Sequence, residues 1–332
     1  MFPLVNPGKE ETVSDTPSGG QNRESLGAFS HEALLYAGQD EFVDATLAFL
    51  RGGLDADEPM LVVVSAAKTA MLRAELGEDA GRVQFGDMDD IGSNPARIIP
   101  AWRDFVDAQP TGLPFRAIGE PIWAGRSPEE LAECHRHEAL LNLAFAGSGN
   151  WRLLCPYDTT TLPAEVIEEA HRSHPVIVDH GEKRPSGTYC DLDEVAAPFD
   201  WPLADPPPSV EQLDFAHDEL SLVRAFVGHC ADRAGLGADR AADFVLAANE
   251  VATNSLRHGG GQGTIRVWID ADALICEVSG RGRINQPLVD RQAPALGTEG
   301  NRGLWIANQV CELVQIRTFP TGSVVRLHMR RL

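Results

Sequence analysis

One run divides the sequence and sets what it can fold into. "EKRPSGTYCDLDEVAAPFDWPLADPPPSVEQ", residues 182 to 212, is rich in Pro and Asp and has no clear period. It reads as the edge of a domain and a linker. With 332 residues, two cores are the natural expectation. The boundaries read as a tail at 1–26, a first unit at 27–181, a linker at 182–208 and a second unit at 209–332. The tail is rich in Pro, Gly, Ser and charge and lacks an apolar core of signal-peptide length. No apolar run approaches the ~20 residues that span a bilayer. Together these predict a cytoplasmic protein without a membrane segment.

In the first unit, strand-like apolar runs alternate with helical ones. "EALLYAGQDEFVDATLAFLRGGL" and "MLVVVSAAKTAMLRAEL" are each a strand then a helix. "RVQFGDM", "FRAIGEPIW" and "WRLLCPYD" are further strands, and "LPAEVIEEAHRSH" a further helix. Ser127 with Glu130 three residues on is a capping-box pattern opening another helix. The strands show little polar alternation, which predicts a parallel α/β sheet with both faces covered. The second unit carries two helices, a strand pair, a loop, a helix and a final hairpin around "PTG", an α+β sandwich.

Charge excludes one class of partner. The net charge is −21, yet residues 207–332 hold thirteen Arg, no Lys and fourteen Asp plus Glu. The acidity therefore sits in the remainder. Such a surface repels nucleic acid and anionic lipid, so neither is expected as a direct partner. The six cysteines include no C-x-x-C pair and read as reduced core residues.

"NEVATNSLRHGGG" holds Glu250, Asn254 and His258 at intervals of four. That spacing stacks them on one face of a helix, and the other face carries Phe244, Leu246, Val251 and Leu256. Around this helix the second unit resembles the GHKL ATPases, most closely the anti-sigma-factor serine kinases (RsbW-type). The resemblance implies the Bergerat fold, a two-layer α/β sandwich, with ATP and Mg²⁺ as cofactors. It makes Asn254 the Mg²⁺ ligand between the phosphates and Glu250 the general base, with His258 near phosphate or capping the helix. One amide oxygen with phosphates and waters is an ordinary Mg²⁺ environment.

Other motifs of the resemblance are partly kept. In "EVSGRGRI", Gly280 stands where the adenine-binding Asp is expected, and Gly282 is retained. Loss of one such charged hydrogen bond costs ~1.5–3 kcal/mol, which predicts weak ATP binding. Glu277 falls on the opposite face of the strand and is not a substitute. In "GTEGNRGLWIAN", Gly303 and Leu304 fit the phosphate loop, while Asn301 replaces its first glycine. Ser323 keeps a hydroxyl in the final hairpin, as an adenine contact or simply a turn residue.

The first unit resembles the MEDS sensory domain through "HEALLYAGQDEF", "GEPIWAGRSPEEL", "CHRHEALLNLAF" and "LLCPYD". That implies a RecA/KaiC-like parallel α/β fold and an unknown small ligand. Lys68 and Thr69 stand where a P-loop would end, but without glycines to wrap a phosphate. Glu120, Trp123 and Arg126 are the sensory candidates. Cys134, His135, His137 and Glu138 suggest a metal site at poor spacing, against a plainer packed helix with an ion pair to Arg126 or Arg136.

The expected function is a signalling switch, a sensor coupled to an anti-sigma-factor-type serine/threonine kinase. Its partners would be a sigma factor or that factor's antagonist, with a homodimer also open. The rival is a catalytically degenerate partner-binding switch. A dimeric histidine kinase is disfavoured, because no helical pair with a phosphoacceptor His precedes the second unit.

Overall fold

The computed structural model describes residues 29–110, 112–190, 202–293 and 302–331. The tail at 1–26, the linker stretch 191–201 and Asn301 lie outside these residues.

The first unit is a seven-stranded sheet. Its strands are β1 (Ser30–Tyr36), β2 (Met60–Val64), β3 (Gln84–Asp87), β4 (Phe115–Gly119), β5 (Trp151–Asp158), β6 (Val176–Asp179) and β7 (Glu182–Pro185). They lie in the order β3-β2-β4-β5-β1-β6-β7. All neighbours are parallel except β6 and β7. Alternate residues of each inner strand face two separate cores. Leu34, Tyr36, Val62 and Val64 pack with α1 (Gly38–Asp55) and α2 (Ala66–Leu76). Ala33, Leu35 and Val63 pack with α4 (Ile98–Asp107), α5 (Pro128–Ala144) and α6 (Ala164–Ser173), a short α3 (Met88–Ile91) lying beside them. Two buried faces explain why these strands read as continuous apolar runs. The capping box at Ser127 and Glu130 opens α5 as expected.

Two features depart from the sequence reading. The sheet is mixed rather than parallel, and it extends past residue 181. His180 and Gly181 both have positive φ and turn the chain tightly into β7, the geometry that joins hairpin strands. "EKRP" is exposed throughout and ends on proline, as an outer edge strand permits. An exposed edge needs no apolar pattern, so it was invisible as a strand.

The second unit is an antiparallel sheet of β8 (Glu211–Ala216), β9 (Gln262–Asp270), β10 (Ala273–Gly280), β11 (Leu313–Phe319) and β12 (Gly322–Arg330), in the order β11-β12-β10-β9-β8. Helices α7 (Leu220–Ala234), α8 (Ala238–His258) and α9 (Arg302–Val310) share one core with its inner face. On β10, Leu274, Cys276 and Val278 point inward, while Glu277 faces outward and pairs with Arg326 at 2.6 Å. Strand β8, hidden at the end of the proline-rich run, completes the sheet edge.

The two units meet through a polar, buried seam. Asn94 donates from its amide to Asn308 Oδ1 (3.0 Å) and to the carbonyls of Asn308 and Cys311. Arg97 donates to the same two carbonyls. Glu133 of α5 accepts from Arg317 at 2.7 Å and lies 3.7 Å from Arg291, both buried. Leu288 packs into the first unit's core, while Ile284 and Val289 of the same loop pack into the second's. The linker does not leave two separate bodies, because α9 and the 284–291 loop are shared ground.

Candidate functional site

The polar stripe on α8 opens onto a cavity of about 300 Å³. It lies between α8, β10, β12, the 282–289 loop and the start of α9. Asn254, His258, Gly280, Gly282, Leu304 and Ser323 line it. Six residues read from four separate motifs therefore converge on one space. Gly303 stands directly over the stripe. A Cβ there would lie 2.8 Å from Asn254 Nδ2 and 3.1 Å from Glu250 Oε2. The α9 start can approach the acid and the amide only because residue 303 has no side chain. Glu250 is half-buried at this approach. Gly282 packs against the end of α8, where a Cβ would sit 2.7 Å from the His258 carbonyl. Its role is close packing beside the cavity.

Sequence reasoning missed Ser255. It lines the cavity, and its Oγ is buried with no hydrogen-bond partner among the described residues. A Cβ on Gly280 would lie 2.0 Å from that Oγ. The serine hydroxyl thus occupies the space into which an acid at 280 would begin to project. No spacing rule could have flagged it, since it neighbours Asn254 and contacts the cavity only because the cavity wraps the helix end. Ser323 Oγ accepts from Ile284 N at 3.0 Å and meets Thr318 Oγ1 at 3.1 Å. It holds the loop as well as lining the cavity. Ile284, Asn285, Gln286 and Val289 complete the wall, a loop without a motif. Glu277 points away from this space, as its place on the strand predicts.

In the first unit, Glu120 directly follows β4 at the C-terminal edge of the sheet, where open α/β folds bind ligands. Its carboxylate accepts from Lys68 Nζ at 2.5 and 2.6 Å and from Tyr36 OH at 2.7 Å. Burial pushes the Glu120 carboxyl up, against the pull of Lys68. Lys68, in the first turn of α2 after β2, thus has an internal carboxylate where a P-loop lysine would meet a phosphate. Trp123 and Arg126 form a different group. The guanidinium lies 3.8 Å from the indole ring and donates to the carbonyls of Pro121 and Gly92.

The four neighbouring residues on α5 do not assemble with one another. Cys134 donates to the Pro121 carbonyl, and burial pushes its thiol up to about 12. Burial lowers His135 to about 4 and His137 to about 3. Glu138 turns instead toward His31 and His174. The plainer ion pair is present in altered form, with Arg136 3.5 Å from Glu133. All six cysteines are free thiols, five of them buried.

Residues 30–175 match the family model of the methanogen/methylotroph, DcmR sensory domain, MEDS. Residues 214–329 match that of the histidine kinase-like ATPase domain. The chain joins a MEDS sensory domain to a histidine kinase-like ATPase domain. Among solved structures it is similar to the RsbU and RsbW domains of Rv1364c from Mycobacterium tuberculosis, at 18% identity and a TM-score of 0.28. That likeness covers 36% of this chain and 32% of the other. No curated protein matches the chain. Among the described residues, no helix is long and apolar enough to cross a membrane.

Proposed function

We propose that the ATPase domain binds ATP with Mg²⁺ and acts as a cytoplasmic serine/threonine protein kinase of the anti-sigma-factor (RsbW-type) branch, controlled by the MEDS domain. The carrying observation is the cavity on which Asn254, His258, Gly280, Gly282, Leu304 and Ser323 converge, with Gly303 set against Glu250 and Asn254. The Bergerat-type arrangement would seat adenine toward Gly280 and Ser323 and phosphates toward the α9 start.

The donor set fits Mg²⁺. The Asn254 side chain lines the cavity close to Gly303, with room beside it for phosphate oxygens. Asn254 would hold the ion, which supplies positive charge to the phosphates. Glu250, one turn earlier on the same face, would take the proton from a Ser or Thr hydroxyl of the substrate protein. The new bond joins that oxygen to the γ-phosphorus, the bond to the β–γ bridging oxygen breaks, and ADP leaves. The substrate would be an antagonist protein, and a sigma factor the alternative partner.

A second reading has its own support. At Gly280 the acid that would accept from adenine is replaced by open backbone and Ser255 Oγ. This favours a catalytically degenerate domain that holds a sigma factor or its antagonist without transferring phosphate. Calorimetry with ATP·Mg²⁺ and ADP release by the full chain separate the readings. Glu250→Gln should keep ATP binding and slow ADP release by ~10²–10⁴-fold, as loss of a general base does. Asn254→Ala should instead weaken the Mg²⁺-dependent part of binding. A wild-type chain that binds no ATP·Mg²⁺ supports the degenerate reading, and so does one whose turnover is unaffected by Glu250→Gln.

A further inference from the structure

Four side chains from four separate segments meet beneath the MEDS sheet. His31 lies on β1, Glu138 on α5, Cys155 on β5, and His174 follows α6. One ligand atom of each lies within 4.8 Å of all the others, and all four residues are buried. The measured edges are 3.0 Å from His31 Nε2 to Glu138 Oε2, 3.3 Å from His174 Nε2 to Glu138 Oε2 and 3.4 Å from Cys155 Sγ to His31 Nε2. Around a tetrahedral ion with bonds of about 2.0–2.3 Å, ligand atoms stand roughly 3.3–3.7 Å apart. Three of the six edges fall close to that spacing, and the others lie within 4.8 Å.

Proton placement sharpens the point. The Asn142 amide nitrogen donates to the Ser173 carbonyl at 2.8 Å, which leaves its oxygen facing His31 Nδ1 at 3.2 Å. His31 must therefore donate from Nδ1. His174 Nδ1 lies 2.9 Å from the Ala170 carbonyl, which can only accept. In the neutral form that these outward bonds select, both rings spend their N–H outward and turn an Nε2 lone pair inward, where His31 Nε2 lies 3.0 Å from Glu138 Oε2. Among the described residues, Glu138 Oε1 and His174 Nε2 have no hydrogen-bond partner. Two imidazole lone pairs and a carboxylate converge on a site where Cys155 offers the one weak donor. Outward N–H bonds that fix the tautomer and orientation are what metal-ligating histidines show.

We propose that His31, Glu138, Cys155 and His174 bind one divalent transition-metal ion of the zinc type. Two imidazoles, a thiolate and a carboxylate are the donor chemistry such an ion takes, and four protein ligands close its coordination. Binding displaces the Cys155 proton to solvent, because the thiolate is the ligand. The site is not the local Cys134–Glu138 run. Only Glu138 of that run takes part, five residues along α5 from Glu133 at the seam with the ATPase domain.

The test uses the full chain, stripped with a chelator and titrated with Co²⁺ and then Zn²⁺. The expected result is one ion per chain, tetrahedral Co²⁺ absorption with a thiolate charge-transfer band, and displacement of Co²⁺ by Zn²⁺. Cys155→Ala should remove the charge-transfer band. Asn142→Ala, which frees the His31 ring without touching a ligand, should weaken binding by about 10–100-fold. Should Cys155→Ala fail to fold, the wild-type spectrum and Asn142→Ala still decide. A natively folded wild type that takes up neither ion overturns the proposal, and so does a charge-transfer band that survives Cys155→Ala or an Asn142→Ala chain with unchanged affinity.

Discussion

At the C-terminal edge of the MEDS sheet, Lys68 is bonded to Glu120 and Tyr36. In the ATPase domain, Asn254 and the α9 start face about 300 Å³ of open space. Both are places where a strand-to-helix architecture brings polar groups to an edge. The first is closed by its own carboxylate and the second is held open by glycines. A cation that already has a buried partner gains little from a phosphate, whereas close backbone approach without a Cβ leaves groups available to a ligand. Ligand capacity at such an edge can therefore turn on two or three side chains.

The largest expected effect tests whether the two regions act as one body. Glu133→Ala leaves Arg317 buried at the seam without its carboxylate, and leaves Arg291 to Asp290 at 3.8 Å. Breaking a buried pair in this way costs ~3–5 kcal/mol. Chemical denaturation should show that loss. After a protease cut within 191–201, wild-type halves should co-elute on gel filtration while the variant halves separate. Wild-type halves that separate freely would break the comparison, since the regions would then be independent.

Lys68→Met asks whether the first region is truly closed. It strands Glu120 in a buried site, so the carboxyl should take up a proton and stability should fall by a smaller amount than at the seam. Lys68 is partly exposed, which screens the pair. ATP stoichiometry by calorimetry should stay at one per chain in the wild type and in this variant. Two nucleotides per wild-type chain would mean that the Glu120–Lys68 pair opens.

A third test sharpens the open region. Gly280→Asp adds an acid where the proposed reading would seat adenine, but its Cβ meets Ser255 Oγ. The single variant should gain less ATP affinity than Gly280→Asp with Ser255→Ala, which clears the space. A restored charged hydrogen bond of ~1.5–3 kcal/mol would tighten the double variant by tenfold or more. Equal affinities in the single and double variants would show that Ser255 yields without cost.

The smallest effect concerns pH. Desolvation first, and Arg326 second, lower His328 to about 4 from 6.5, with Glu129 opposing. Between those values the unfolded chain binds a proton that the native chain does not. Stability should therefore be fully present above pH 6.5 and decline as pH falls toward 4. His328→Gln should make that decline shallower in thermal melts, His135 and His137 keeping part of it, and an unchanged slope would assign all of it to other groups.

The sequence by itself determined the two units, most of their elements and the stripe at Glu250, Asn254 and His258. These rest on local physics: burial period, caps, and residues four apart on one helix. The tertiary structure alone decided what was paired across distance. Strand β7 needed β6 to be seen as a strand, because an exposed edge has no apolar signature. Ser255 reached the cavity only once Gly280 was laid against it. The metal reading on α5 drew its ligands from one helix, where i and i+2 face apart. The structure instead gathers His31, Glu138, Cys155 and His174 across 143 positions of sequence. Ligand sets of that kind are assembled by packing, and a chain read in one dimension carries no trace of which distant side chains packing will bring within 5 Å.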